Sequence, residues 1–131
     1  MALISVDTQQ AIIDLCARYS YHSDVGEAGE VAKMFVENGV FDGPPGRFVG
    51  HEAIEKFNVD LHQQLKGSMH FTDNHMFDEK DGYIRHRCYL SLHVAGEQGV
   101  KISLLTYDDE VVKDDNGRWK FRIRACRSFA P

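Results

Sequence analysis

Paired cysteines are lacking. Cys16, Cys88 and Cys126 are an odd number, far apart and without CxxC spacing, which excludes a disulfide framework and suits reduced thiols. A basic excess is lacking too. With a net charge of −5 and a pI of about 5.7, nucleic acid and anionic membrane are excluded as main partners. No run approaches the ~20 apolar residues that span a bilayer. The opening MALISVDTQQ has neither the basic start nor the long apolar stretch of a secretion signal, so the expected location is the cytoplasm. There is no Walker loop, no GxGxxG and no Ser-His-Asp order, and the glycines read as turn markers. Internal repeats, low-complexity tracts and linkers are also missing.

What is present describes one ordinary domain. The 131 residues are near the common size for a single core, and 43% hydrophobic with 27% charged residues fits a globular chain. Asp7 with Gln10 resembles a capping box. It opens a helix with a buried stripe of Ile12, Leu15, Cys16 and Tyr19 that fades around Ser20 to Ser23. A second helix is expected over about 27–37, stopped by Asn38-Gly39, followed by a short strand at 40–42. After Gly43-Pro44-Pro45-Gly46, a third helix carries Ile54, Phe57, Leu61 and Leu65 and ends near Gly67.

The pattern then changes to period two. Strands are expected over about 69–77, 83–95, 100–112 and 118–129, joined by the hairpin-like EKDG, GEQG and DDNG. Helices followed by a long meander predict an α+β domain, with a strongly curved antiparallel sheet wrapping three N-terminal helices. In the last strand, alternation puts Arg118, Lys120, Arg122 and Arg124 on one face and Trp119, Phe121, Ile123 and Ala125 on the other. The basic face is expected to lie against solvent or an interface.

Seven histidines raise the question of a metal. His51-Glu52 opens no HExxH because Glu55 stands where the second histidine is required, and there is no HxH. Strict alternation puts His70 and His75 on opposite faces of one strand and His70 with Thr72, Asn74 and Met76. His22, His51 and His62 read as solvent-facing. No metal and no cofactor are expected.

Two residues carry the chemical expectation. Asp24 follows the first helix in RYSYHSDVGE, and His70 lies in SMHFTDNHMF. A carboxylate that fixes an imidazole tautomer and stabilises the imidazolium makes a proton-abstracting dyad. Read blandly, His70 is a histidine satisfied by a backbone carbonyl and Asp24 a helix-end residue. Tyr19 and Tyr21 are either packing aromatics or hydroxyl donors to a substrate. His86 shares the apolar side of its strand with Ile84, Cys88, Leu90 and Leu92, whereas His93 has the opposite parity. A β-bulge would re-phase one of them, so alternation leaves open which reaches a pocket.

The order RYSYHSDVGEAGEVAKMF, ENGVFD, VGHEAIEKF, MHFTDNHMF resembles the SnoaL-like branch of the nuclear transport factor 2-like superfamily over nearly the whole chain. In motif layout it is most similar to scytalone dehydratase and hexachlorocyclohexane dehydrochlorinase. The resemblance implies a cone of curved sheet and helices around an Asp24–His70 catalytic dyad. It implies a cofactor-free lyase of the dehydratase type acting on a small, mostly apolar carbonyl or ring compound. An isomerase, a polyketide cyclase or a non-catalytic binding or accessory domain are the alternatives. It places His93 as a second pocket histidine, with Tyr21, Tyr19 and Tyr107 beside the substrate, and implies a homo-oligomer, dimer or trimer, built through the sheet with Arg85, Arg87, Arg122 and Arg124 at the contact. The surrounding shell departs from the dehydratase. Ser23 and Gly43 stand where two water-holding tyrosines are found, and Leu105 and Tyr107 align near its pocket serine and asparagine.

Overall fold

The computed structural model describes residues 3–129. Its order is α1 (Val6–Asp24), α2 (Ala28–Ala32), β1 (Phe35–Gly43), β2 (Gly46–Val49), α3 (His51–Gln64), β3 (Ser68–Lys80), β4 (Tyr83–Gly96), β5 (Gly99–Lys113) and β6 (Trp119–Ser128). The strands form one curved, unclosed sheet in the order β2-β1-β6-β5-β4-β3, and the three helices cover its concave side as a cone-like α+β fold. The pairs are antiparallel except β1 with β6, which run parallel. The parallel pair is one the hairpin signals could not reveal, because it joins the two ends of the chain.

Ser5, not Asp7, caps α1, its side chain accepting the Thr8 backbone N–H at 3.1 Å. The second helix is one turn and a half, because Phe35 already belongs to β1. The run that looked helical over 27–37 is split between the two elements. Phe35 pairs with Phe121, and the Phe121 N–H donates to the Met34 carbonyl at 2.8 Å, so the tertiary ladder claims this segment. The core between helices and sheet holds Ile12, Cys16, Tyr19, Val31, Phe35, Ile54, Val111 and Phe121. Burying each of the larger side chains stabilises the fold by about 1.5–3 kcal/mol.

Two irregularities decide which side chains enter the cone. In β3 the register slips between Asp73 and Met76, and Asn74 takes a left-handed φ of 56°. Upstream, His70 and Thr72 pair with Leu92 and Leu90 on the inner face. Downstream, Met76 pairs with Arg87 on the outer face and Phe77 with His86 on the inner. His75 is thereby brought onto the same side as His70, against strict alternation. In β6 the register slips where Glu110 faces Ile123 and Val111 faces Phe121. Arg122 is the extra residue, so Arg124 turns inward and is fully buried while Arg122 pairs outside with Glu110. The predicted basic face therefore ends at Arg122. β4 has no such slip, and its alternation runs unbroken from Ile84 to Gly96.

Candidate functional site

Asp24 is the last residue of α1 and His70 the third of β3. The chain leaves the helix through Val25 and Gly26. Gly26 sits at φ 84°, a left-handed conformation that favours glycine at this exit. The exit directs the Asp24 carboxylate at the start of β3.

His70 Nδ1 lies 2.6 Å from Asp24 Oδ1, and the His70 backbone N–H donates to both carboxylate oxygens at 3.2 and 3.1 Å. A carboxylate only accepts, so the short contact requires the proton on Nδ1. In the neutral ring the lone pair is then on Nε2, which is the arrangement of a positioned base. The His70 side chain keeps 6% of its accessible surface and Asp24 15%, so the pair is largely desolvated. It is the arrangement expected from the sequence.

The other predicted residues are placed differently. His93 is on the outer face, its Nε2 2.8 Å from Ser91 Oγ and its ring edge-on to Phe71. The expectation that it lines the interior is corrected, because the bulges fall in β3 and β6 and β4 keeps its phase. The inward histidine of β4 is His86. Tyr21 is 61% exposed and rests against His22. Tyr19 and Tyr107 do point inward, but both are buried under Arg124. The guanidinium carbon is 4.3 Å from the Tyr19 ring centroid and 3.4 Å from that of Tyr107. Burial pushes the hydroxyls of both tyrosines to higher pKa, with Arg124 opposing, so they are neutral donors over the ordinary pH range.

A second polar cluster fills the deeper part of the cone. Asp109 Oδ2 accepts from His86 Nδ1 at 2.8 Å, and His86 Nε2 meets His75 Nδ1, also at 2.8 Å, with the two rings stacked. Arg124 Nε is 3.3 Å from Asp109 Oδ1, too poorly aligned for a hydrogen bond, and both atoms, with Arg124 Nη1, are buried without a hydrogen-bond partner. Cys16 Sγ lies 3.9 Å from His86 Nδ1 and from Arg124 Nη2. Burial disfavours the His86 imidazolium, but the Asp109 bond and Cys16 more than offset it, and the pKa is raised. Burial and Arg124 lower that of His75. Cys16 is held as a thiol by Cys88 and by burial.

Cys16, His75 and His86 could offer a metal three ligand atoms, all within 4.8 Å of one another. The cluster does not suit a cation as it stands. The two facing imidazole nitrogens are already engaged with each other, and Arg124 places a fixed positive charge beside the sulfur. Sequence reasoning missed this network. One signal was readable, namely Asp109 standing as a lone carboxylate between Tyr107 and Val111 on the apolar face of its strand. The other two, His75 and Arg124, depend on bulges.

The SnoaL-like domain family matches residues 5–125. A candidate scytalone dehydratase from Novosphingobium aromaticivorans is 28% identical with a TM-score of 0.82, covering 94% of this chain and 85% of its own. A nuclear transport factor 2-like protein with a cystatin-like fold, from the same organism, is 19% identical with a TM-score of 0.85, over 95% of this chain and 84% of that one. A protein of unknown function from Mycobacterium tuberculosis is 24% identical with a TM-score of 0.86, over 98% and 78%. No protein of curated function matches the chain significantly. The matched span covers nearly the whole fold, and this chain belongs to the SnoaL-like domain family.

Proposed function

We propose that the protein is a cofactor-free lyase, dehydratase-like, in which His70 removes a proton from a small, mostly apolar carbonyl or ring compound and Asp24 orients the ring. The observation that carries this reading is the 2.6 Å contact of His70 Nδ1 with Asp24 Oδ1, reinforced by the backbone N–H of the same histidine. With Nδ1–H committed to the carboxylate, Nε2 accepts the substrate proton, and the imidazolium is stabilised by the adjacent charge. Such a base contributes ~10²–10⁴-fold. The similarity to a candidate scytalone dehydratase supports elimination of water ahead of isomerisation or cyclisation.

Turnover of β-hydroxy and enolisable ketones by wild type and His70→Gln tests the assignment. Consumption of a panel member that disappears in the variant is expected. Consumption unchanged by the substitution would contradict it.

A binding role is the second reading, favoured by the filling of the deep cone by Tyr19, Tyr107, Arg124 and Phe121 and by the small exposed area of the dyad. Retention of a ring compound without conversion by wild type would select it.

We also propose self-association through the outer face of the sheet, at a different place from the arginines. Arg85, Arg87 and Arg122 are neutralised within the chain by Asp108, Asp78 and Glu110, and Arg124 is inside. Met69, Phe71, Ile102, Leu104 and Phe129 are each about half or more exposed beside them. An apolar strip with an internally neutralised rim suits a second copy of this chain rather than a charged partner. Light scattering should report a dimer or trimer at micromolar concentration, and a monomer would refute it.

A further inference from the structure

The basic residues of the last strand divide into two groups. Arg122, Arg124 and Arg127 face carboxylates of the same chain, namely Glu110, Asp109 and Asp42. Arg118 and Lys120 form no ion pair among the described residues, and both line a cavity of about 570 Å³. The cavity sits at an open corner of the fold. β1 joins β6 only at Phe121, so residues 118–120 have no strand beside them on that edge, and α1 and the end of α2 stand across the gap.

Ala11, Leu15 and Arg18 lie on one face of α1 at spacings of four and three, and turn that face to the cavity. Met34 and Trp119, both partly buried against the core, complete its apolar walls. Two carboxylates also line it, and each is taken by a cation three or four residues along the chain. Asp14 accepts from Arg18 at 2.7 Å and Glu30 from Lys33 at 3.4 Å. At the rim, Asp114 feels the charges of Arg118 and Lys120, but it already accepts the backbone N–H groups of Asn116 and Arg118 at 2.9 and 2.8 Å. Lys113, 5.8 Å from the centroid of the Trp119 ring, offsets its charge.

The two cations left over are anchored and accessible. Lys120 Nζ donates to the Lys33 carbonyl at 2.6 Å, which leaves two of its three donors for a ligand. The Arg118 backbone is fixed in both directions by Asp114, whose N–H donates to the Arg118 carbonyl at 2.8 Å. The guanidinium therefore projects from a held base, with no hydrogen bond of its own among the described residues. Arg118 is exposed and Lys120 partly so.

We propose that this corner cavity is a second binding site, for a phosphate monoester carrying a flat ring (a nucleotide or an aryl phosphate), with Arg118 and Lys120 on the phosphate and the Trp119 indole against the ring. A phosphate monoester carries about −1.5 to −2 charges at neutral pH, which matches two cations without carboxylate partners. A carboxylate monoanion satisfies only one of them. The guanidinium fork fits two phosphate oxygens, and the ammonium adds a point charge. A ring on the indole gains stacking that inorganic phosphate cannot. The site does not rest on the catalytic reading of Asp24 and His70, neither of which lines it.

Trp119 is the only tryptophan of the chain, so its fluorescence reports on the site directly. The full chain would be titrated with adenosine monophosphate, phenyl phosphate and inorganic phosphate, with calorimetry in parallel. Quenching with binding heat is expected for at least one of the two ring esters at submillimolar concentration, with inorganic phosphate about tenfold or more weaker. Tighter binding of adenosine monophosphate assigns the site to a nucleotide, and tighter binding of phenyl phosphate to an aryl ester. Arg118→Gln and Lys120→Gln should each weaken binding about tenfold. Arg122→Gln, on the same strand but paired with Glu110, should leave it unchanged, as should His70→Gln. Equal affinity in wild type and both site variants would overturn the proposal, as would inorganic phosphate binding as tightly as the esters. Absence of binding by either ester in the millimolar range would also overturn it, and so would loss of binding in His70→Gln, which would put the ester on the dyad.

Discussion

Replacing Asp24 by asparagine removes one charge and one acceptor while keeping the shape, so it isolates what the carboxylate does. In the wild-type geometry Asp24 receives three donations, two from the His70 backbone N–H and one from Nδ1–H, and offers none. Asparagine has a single acceptor oxygen, and its NH₂ must face one of those donors. If the amide turns its NH₂ toward the ring, Nδ1 must become the acceptor and the proton moves to Nε2, the nitrogen that should take the substrate proton. If it turns its oxygen to the ring, the NH₂ meets the His70 N–H and the imidazolium loses its counter-charge. Both arrangements cost the transition state. The expected loss is ~10²–10⁴-fold in kcat, about 2.7–5.4 kcal/mol, for the whole contribution of a positioned base. The assay pairs turnover of a ketone accepted by wild type with ¹⁵N spectra of the His70 ring, where wild type should show Nδ1–H and the variant a changed tautomer population. Full activity in Asp24→Asn, or a wild-type ring protonated on Nε2 alone, would refute the reasoning.

Other consequences follow from the buried network and from the replaced shell. Asp109→Ala should destabilise the fold by about 3–5 kcal/mol, because it strands Arg124 and His86 without their carboxylate; chemical denaturation measures it. The His75–His86 pair should give stability a maximum near pH 6.5, the ordinary histidine value. Below it the unfolded chain takes up the proton that folded His75 refuses, so stability falls as pH falls. Above it the unfolded chain releases the proton that folded His86 keeps, so stability falls as pH rises through the raised value. Denaturation midpoints across pH should show His75→Gln losing the acid-side slope. If Ser23 and Gly43 stand where the resemblance to the dehydratase puts its two water-holding tyrosines, scytalone should be dehydrated very weakly, since each lost oxyanion donor costs ~2.7–4 kcal/mol. Brisk conversion of scytalone would show that the alignment of the shell is wrong. Treatment with chelators should leave turnover and melting temperature unchanged, and a loss restored by zinc or iron would contradict the proton-transfer account.

The sequence and the structure agree where a periodic pattern runs without interruption. The meander from β3 to β6, the stripe of α1 and the meeting of Asp24 with His70 were all legible. The helix exit and the strand start are local features, and the family resemblance supplied the pairing. What failed has one physical cause. A single inserted residue inverts every later side chain of a strand, and neither the Asn74 nor the Arg122 bulge carries a strong local signature. His75 and Arg124 were therefore assigned to the wrong faces, and the buried network they complete was invisible. The error at His93 is the converse. A bulge was invoked as an option in β4, where pairing with β5 runs without a break. The short α2 was overextended because its continuation into β1 is decided by pairing with β6, more than 80 residues away along the chain.

The account stands on His70 acting as a base, and hydrogen–deuterium exchange tests that step without requiring the natural substrate. Wild type and His70→Gln would be incubated in D₂O with a panel of enolisable ring ketones such as 2-tetralone, and deuterium at the α-carbon followed by NMR. The account predicts catalysed exchange in at least one ketone by wild type, reduced ~10²–10⁴-fold in the variant to near the buffer rate. Exchange at equal rates in both proteins, or none above buffer with any ketone in wild type, would contradict it.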